Sequence, residues 1–496
     1  MSLMKLKSGT DIRGTAVGEN TDLTDEAIKK ITAAFLIFMQ KKTGISPDDM
    51  CIAVGHDSRI SAERIKKCVI NVLCEKNVKV LDCGLSSTPS MFMITVKKGC
   101  TASVQITASH HPYDKNGLKF FTKDGGFEGS DIAEILTVAE DIDITSINCS
   151  DNSIPTDFMS EYSAMLRDMI CAGVNATDYN KPLSGFHIVT DAGNGAGGFY
   201  AEKVLKELGA DISGSLFLEP DGMFPNHTPN PENETAMKFI SDAVISSGAD
   251  FGVIFDTDVD RAACVDSSGK EINRNKLVAL ASVIALENNK GATIVTDSVT
   301  SDGLHDFIEN HLGGKHHRFR RGYKNVINEA IRLKKEGISA PLAIETSGHA
   351  ALKENYFLDD GAYLITKIII LLAKLRKEGK TLASLIADLK EPAEEKELRF
   401  KILTDDFRAY GENVIAKLSE FASAQDGWTI APDNHEGIRI SLDKNHGNGW
   451  MLLRLSVHDP ILPFNIESDD TGGTSVILSQ FKNFIEQFDK LDLSVL

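Results

Sequence analysis

The stretch Thr107-Ala108-Ser109-His110-His111-Pro112 sets one hydroxyl among small residues, two imidazoles and a proline. Ala102-Ser103-Val104-Gln105-Ile106 before it alternates like a strand, and Asp114-Lys115-Asn116-Gly117 after it supplies turn residues. Ser109 is therefore expected exposed at the end of a strand. A serine hydroxyl is a weak nucleophile and needs either a base or a covalently held group such as phosphate. Taken alone, the motif also suits a surface turn.

Three further segments carry chemistry. Asp256-Thr257-Asp258-Val259-Asp260-Arg261 follows the apolar run Phe251-Gly252-Val253-Ile254-Phe255. Carboxylates at alternate positions share one side of an extended segment, where their repulsion calls for a cation. Oxygen ligands of this kind suit magnesium. A calcium loop of the EF-hand type is excluded, because Arg261 and Ser267 stand where its glycine and glutamate belong. Glu345-Thr346-Ser347-Gly348-His349 follows another apolar strand and offers a carboxylate and a hydroxyl suited to vicinal sugar hydroxyls. Arg454-Leu455-Ser456-Val457-His458-Asp459-Pro460 combines a guanidinium, a hydroxyl, an imidazole and turn amides, which can enclose a phosphate held without reacting.

In this order, and with Gly9-Thr10-Asp11-Ile12-Arg13-Gly14 near the start, the segments resemble the α-D-phosphohexomutase family over nearly the whole chain. That family includes phosphomannomutase/phosphoglucomutase and phosphoglucosamine mutase. The resemblance implies that Ser109 is the phosphoserine, that Asp256, Asp258 and Asp260 hold Mg2+ together with Ser109, and that Glu345 and Ser347 read the sugar. It places Arg454, Ser456, Val457 and His458 on the distal phosphate, and Arg13, Lys119, Arg261 and His349 around the reacting groups. The implied reaction moves phosphate between O1 and O6 of a hexose phosphate, with a hexose 1,6-bisphosphate as intermediate and activator. Three departures stand out: His111 replaces an asparagine, Ile344 a glycine, and Val457-His458-Asp459 a more polar phosphate loop.

The elements needed to hold these groups are α/β. Cys51-Ile52-Ala53-Val54 leads through Gly55-His56-Asp57-Ser58-Arg59 to a helix opened by Ser61, with Ile65, Val69, Val72 and Leu73 on one face, and Val78 to Asp82 returns as a strand. Such units recur from Phe186 and from about Ile272. A length of 496 residues suggests three or four domains at roughly 150 residues each. The expected fold is three similar α/β domains with mixed sheets plus a C-terminal α+β domain. The expected bounds are 1–152 for the phosphoserine domain, 153–270 for metal, 271–390 for sugar and 391–496 for the distal phosphate. A polar boundary at Asn148 to Asp157 and a charged linker at Glu391 to Glu397 mark two of the joints. Asp359-Asp360-Gly361 is expected to cap a helix starting near Ala362.

The formal charge of −18 argues against nucleic acid or an anionic membrane as partner, so an anionic hexose phosphate must be met by local Arg and Lys. Eight cysteines without a C-x-x-C pair fit reduced thiols. Ile31 to Met39 is too short to span a bilayer and is flanked by lysines. No export signal is expected, and the reading is a cytoplasmic monomer or small homo-oligomer. Three alternatives remain open. Phosphoglucosamine mutase differs only at sugar C2, and Thr107 leans away from it. Asp191-Ala192-Gly193-Asn194-Gly195-Ala196-Gly197-Gly198 meets the outward criteria of a dinucleotide loop, which would make an NAD-dependent oxidoreductase, although the glycines also suit tight helix-on-strand packing. A phosphosugar sensor would keep the binding loops without a phosphorylated serine.

Overall fold

The computed structural model describes residues 2–144, 151–432, 434–456 and 459–496; the first part of the boundary at Asn148 lies outside them. The chain forms two compact units, residues 1–277 with 347–384 and residues 278–346 with 385–496.

In the first unit an eight-stranded mixed sheet runs Lys7–Ser8, Asp11–Thr15, Lys115–Thr122, Ala102–Ile106, Cys51–His56, Lys79–Leu85 and Ile154–Pro155, with Gly125–Gly126 beside Lys115–Thr122. Cys51–His56 is parallel to both Lys79–Leu85 and Ala102–Ile106, and the helix Ala62–Glu75 makes the crossover. Its face of Ile65, Val69, Val72 and Leu73 is buried, each side chain contributing about 1.5–3 kcal/mol. Ser61 precedes this helix without capping it, because its hydroxyl accepts from Asn116 Nδ2 at 2.8 Å. The apolar run at Ile31 lies in the helix Asp25–Thr43, which starts at the Thr24 cap and ends at left-handed Gly44. Phe35 of that helix stacks on Phe120 at 4.6 Å, so the run is a core face. Among the described residues, no helix is long and apolar enough to cross a membrane. The seven described cysteines are free.

A second mixed sheet in this unit runs Glu271–Ile272, Ala262–Asp266, Phe251–Phe255, Ile188–Asp191. The hairpin Ala350–Leu352 with Leu358–Asp359 leads into the helix Gly361–Lys377, and Asp360 caps that helix by accepting from Tyr363 N at 2.9 Å. Asp256 to Asp260 is not extended, as alternation suggested, but forms the turn between the antiparallel strands Phe251–Phe255 and Ala262–Asp266, with Val259 at φ 68°.

The glycine-rich loop after Ile188–Asp191 packs against that turn. A Cβ on Gly195 would lie 2.6 Å from the Thr257 carbonyl oxygen, and one on Gly198 would lie 2.2 Å from that of Leu218. Ala196 N donates to Thr257 O at 2.8 Å, and a π-helical segment, Tyr200–Leu205, follows. The glycines thus serve close backbone packing.

The second unit holds three parallel strands, Lys315–Arg318, Thr293–Thr296 and Leu342–Ile344. It also holds an antiparallel sheet of six strands in the order Trp428–Ile430, Ile438–Leu442, Gly449–Leu453, Ile461–Ser468, Glu394–Ile402, Leu491–Asp492. Phe464 and Phe481 stack at 3.9 Å in its core. Glu391 to Glu397 is not simply a linker, since Glu394–Ile402 is an interior strand that buries Leu398, Phe400 and Ile402. Its charges are placed by use: Glu394 accepts from Gly472 N at 2.7 Å and Thr474 Oγ1 at 2.7 Å, at the start of the helix Gly473–Ile485. Three mixed α/β sheets and a final antiparallel α+β sheet are the architecture the sequence implies.

The glycine-rich loop depends on a fully buried pair. His227 Nε2 lies 2.9 Å from Asp191 Oδ2, and Nδ1 lies 2.9 Å from Thr228 O. Both nitrogens face acceptors, so the imidazolium satisfies the geometry. Burial works against that charge, but Asp191 outweighs it and raises the His227 pKa. A raised pKa contributes stability that is fully present below the unfolded value of ~6.5 and is lost as pH rises through the folded value. His227→Gln should therefore lower stability by about 1–3 kcal/mol near pH 6, and the gap from wild type should narrow as pH rises into the alkaline range. Thermal or urea unfolding of both proteins across that range measures it, and a gap independent of pH counts against the charged pair.

Candidate active site

Strand Ala102–Ile106 ends one residue before Thr107, and the chain then turns through Ser109 at φ 52°, a left-handed conformation rare for serine. Ser109 is only 2% exposed, not open at a strand end as its motif suggested. It is covered because its hydroxyl donates to Asp256 Oδ2 at 3.0 Å and accepts from Arg261 Nη2 at 3.0 Å. His110 Nδ1 lies 3.4 Å from the same oxygen and also takes a bond from Arg261. Burial, then Arg261, push the His110 pKa far down, so this ring is a neutral acceptor. His111 is lowered to about 4 by burial and by Arg13 and Arg59.

Lys115 to Gly117, read as turn residues, instead open the strand Lys115–Thr122. Gly117 pairs with Arg13, and a Cβ there would lie 2.3 Å from the Ile12 carbonyl oxygen, so glycine permits this approach. The register places Arg13 and Lys119 on neighbouring strands. Arg13 Nη2 donates to Asp11 Oδ2 at 2.7 Å. Lys119 Nζ donates to Asp258 Oδ2 at 3.1 Å and to Asp260 Oδ2 at 2.5 Å.

Asp256, Asp258 and Asp260 are buried, and their ligand atoms lie within 4.8 Å of one another. Asp258 Oδ1 and Asp260 Oδ1 have no hydrogen-bond partner among the described residues. Burial, then the Asp260 and Asp258 charges, drive the Asp256 pKa up. Asp260 is held down despite burial by Lys119, His349 and Arg261. Two buried, unpartnered oxygens facing like neighbours fit a hard divalent cation, so the residues present suit magnesium.

Around the turn, Arg261 and His349 form an antiparallel bridge, and Gly348 lets the backbones touch. His349 Nδ1 bonds Asp359 and lies 4.0 Å from Asp260 Oδ1. Burial opposes the His349 charge, but Asp359 and Asp260 raise it to about 9. Ser347 Oγ is buried without a partner among the described residues.

Glu345 belongs to the second unit, where Oε1 accepts from Gly322 N at 2.6 Å. Arg454 Nη1 lies 3.9 Å from Glu436 Oε1, and its Nε is buried without a partner among the described residues. Ser456 Oγ accepts from Asp459 N at 3.2 Å. Val457 and His458 lie outside the described residues. Arg318, one of a basic run, is committed to Asp302 at 3.0 Å. Its neighbour Arg321 donates its backbone N–H to Glu436 at 3.1 Å.

Several partners carried no motif. Thr88 Oγ1 donates to Asp258, and its N–H donates to Asp258 O at 2.8 Å. The Ser87-Thr88-Pro89 helix start was a visible signal for this turn, though not for its target. Glu436 and Asp297 likewise act through folding alone, and Asp359, expected with Asp360 at the helix cap, instead bonds His349; Asp297 accepts from Thr346 Oγ1 at 2.7 Å.

Comparison with known proteins shows the family. Models of phosphoglucomutase/phosphomannomutase alpha/beta/alpha domains I, II and III match residues 4–145, 161–269 and 273–392. A phosphoglucomutase of Neisseria gonorrhoeae is 30% identical over 480 residues, covering 96% of this chain and 95% of the relative. A phosphoglucomutase/phosphomannomutase of Thermococcus kodakarensis is 31% identical over 461 residues, 92% of this chain and 93% of the relative. The crystal structure of a phosphoglucomutase/phosphomannomutase family protein from Burkholderia thailandensis shares the fold at a TM-score of 0.80 and 23% identity, with 98% of each chain covered. The chain therefore belongs to the phosphoglucomutase/phosphomannomutase family of α-D-phosphohexomutases and is a phosphohexomutase, an isomerase of carbohydrate metabolism.

Proposed function

We propose that this enzyme moves phosphate between O1 and O6 of glucose and mannose phosphates through a phosphorylated Ser109. The observation that carries the reading is the Ser109 hydroxyl, buried between the Asp256 carboxylate and the Arg261 guanidinium. The serine Oγ–P bond breaks as the free sugar hydroxyl bonds to phosphorus, giving a hexose 1,6-bisphosphate. After the sugar turns over, its other phosphate returns to Ser109. The names of the relatives support glucose and mannose over glucosamine as the sugars.

Position supports the following roles. Arg261 donates toward the atom that carries the phosphoryl group and stabilises charge on its oxygens. Asp256, Asp258 and Asp260 would hold magnesium, which supplies charge neutralisation at a transferring phosphoryl group. Lys119 and Arg13 are assigned to stabilising or shuttling the proton of the attacking hydroxyl, with His349, paired to Asp359, as the less favoured carrier. Glu345 and Ser347 are assigned to sugar hydroxyls, and Arg454 and Ser456, with Val457 and His458, to the phosphate that is not transferred. The buried Nε of Arg454, without a partner among the described residues, supports an anion there. The four domains and their bounds remain part of this proposal, as do a cytoplasmic location and a monomer or small homo-oligomer.

Three outcomes are expected. Intact mass should show one added phosphate after incubation with a hexose 1,6-bisphosphate, absent in an inactive Ser109→Ala. Turnover by that variant would rule out the covalent route. Chelation, or Asp258→Asn, should cost about 100-fold or more in rate without unfolding the protein; full activity in excess chelator would make the carboxylates structural. Arg454→Ala should raise KM strongly, because a phosphate bound but not transferred contributes mainly to binding. An unchanged KM would remove Arg454 from the phosphate site.

A further inference from the structure

The Ser109 loop is held from beneath by one buried guanidinium. Arg59 is 2% exposed and lies just past the strand Cys51–His56, beside the strand that delivers Ser109. Its Nη1 donates to Pro112 O at 2.6 Å and to Lys115 O at 3.0 Å. Its Nη2 donates to His111 O at 2.6 Å and to the carbonyl of Ser109 itself. Nε donates to Asp57 Oδ2 at 3.1 Å, while Asp57 Oδ1 accepts the Arg59 N–H at 3.0 Å. A guanidinium has five N–H donors, and these contacts occupy all of them. None is left for substrate.

Asp57 N donates to Ile106 O at 3.0 Å, which ties the brace to the last residue of the strand before the loop. Ser109 sits at φ 52°, where a serine persists only if its surroundings fix it. We propose that Arg59 is a positioning residue for phosphate transfer, holding the carbonyls of Ser109, His111, Pro112 and Lys115 so that the Ser109 oxygen stays aligned with Asp256 and Arg261. This rests on Ser109 being the phosphorylated residue. A lysine keeps the charge but is a point donor that cannot span four carbonyls in the plane of a fork.

Arg59→Lys and wild type are compared in three measurements: thermal unfolding, kcat and KM for a hexose 1-phosphate, and the rate at which a hexose 1,6-bisphosphate phosphorylates Ser109, followed by intact mass. The expected result is a folded variant with KM within about threefold of wild type. Its kcat and its rate of Ser109 phosphorylation should both be about 100-fold lower, the effect of misplacing a reacting atom by roughly 1 Å. A folded variant that keeps wild-type kcat, or changes only KM, overturns the inference. If Arg59→Lys does not fold, Asp57→Asn decides, because it keeps the shape of the brace and weakens its anchor. About tenfold slower phosphorylation at unchanged KM supports the inference, and unchanged phosphorylation overturns it. A wild type that takes up no phosphate on Ser109 defeats the proposed function itself, a different result from a wild type and variant that are phosphorylated alike.

Discussion

Three carboxylates buried within 4.8 Å of one another are the constraint on which the first unit is organised. Removing charges from water costs several kcal/mol each unless they are paired and hydrogen-bonded. Lys119, Arg261 and His349 all turn inward toward this cluster, from three separate parts of the chain. Thr88 adds a neutral donor from a helix start. Lys119 and Arg261 are themselves buried and His349 is partly so, so the compensation is mutual: remove one and the remaining charges are stranded.

Bringing these segments together requires backbones to touch. Gly195 meets Thr257, Gly348 meets Ala262, and Gly361 meets the carbonyl carbon of Arg261, each at a distance that a Cβ would close to under 3 Å. The aspartate turn is therefore packed by backbone on several sides, and its side chains are left to face inward. A glycine-rich sequence that resembles a nucleotide loop is, in this fold, part of that packing.

The chain is acidic overall, with a formal charge of −18, yet the groups surrounding Ser109 include Arg13, Arg59, Lys119 and Arg261. A net negative field repels a sugar phosphate at long range. Each of these cations is held by a buried carboxylate, Arg13 by Asp11, Arg59 by Asp57, Lys119 by Asp258 and Asp260, and Arg261 by Asp256, so its position is fixed.

The sequence by itself determined the order of four chemical segments, the α/β alternation and the helix faces. Short-range rules suffice for these: Ile65, Val69, Val72 and Leu73 are periodic, and Asp360 sits where a cap belongs. It also named candidate reacting side chains. It misread the Asp256 to Asp260 turn as extended, Lys115 to Gly117 as a turn, Ser109 as exposed and Glu394 to Glu397 as linker. Each error has one cause. Local propensity cannot see a partner strand or a covering side chain that arrives from a distant part of the chain. Asp57, Arg59 and Thr88 were silent, and Asp359 was read only as part of a cap, for the same reason: their roles are set by what lies 2.5 to 3.1 Å away, and tertiary packing alone decides that.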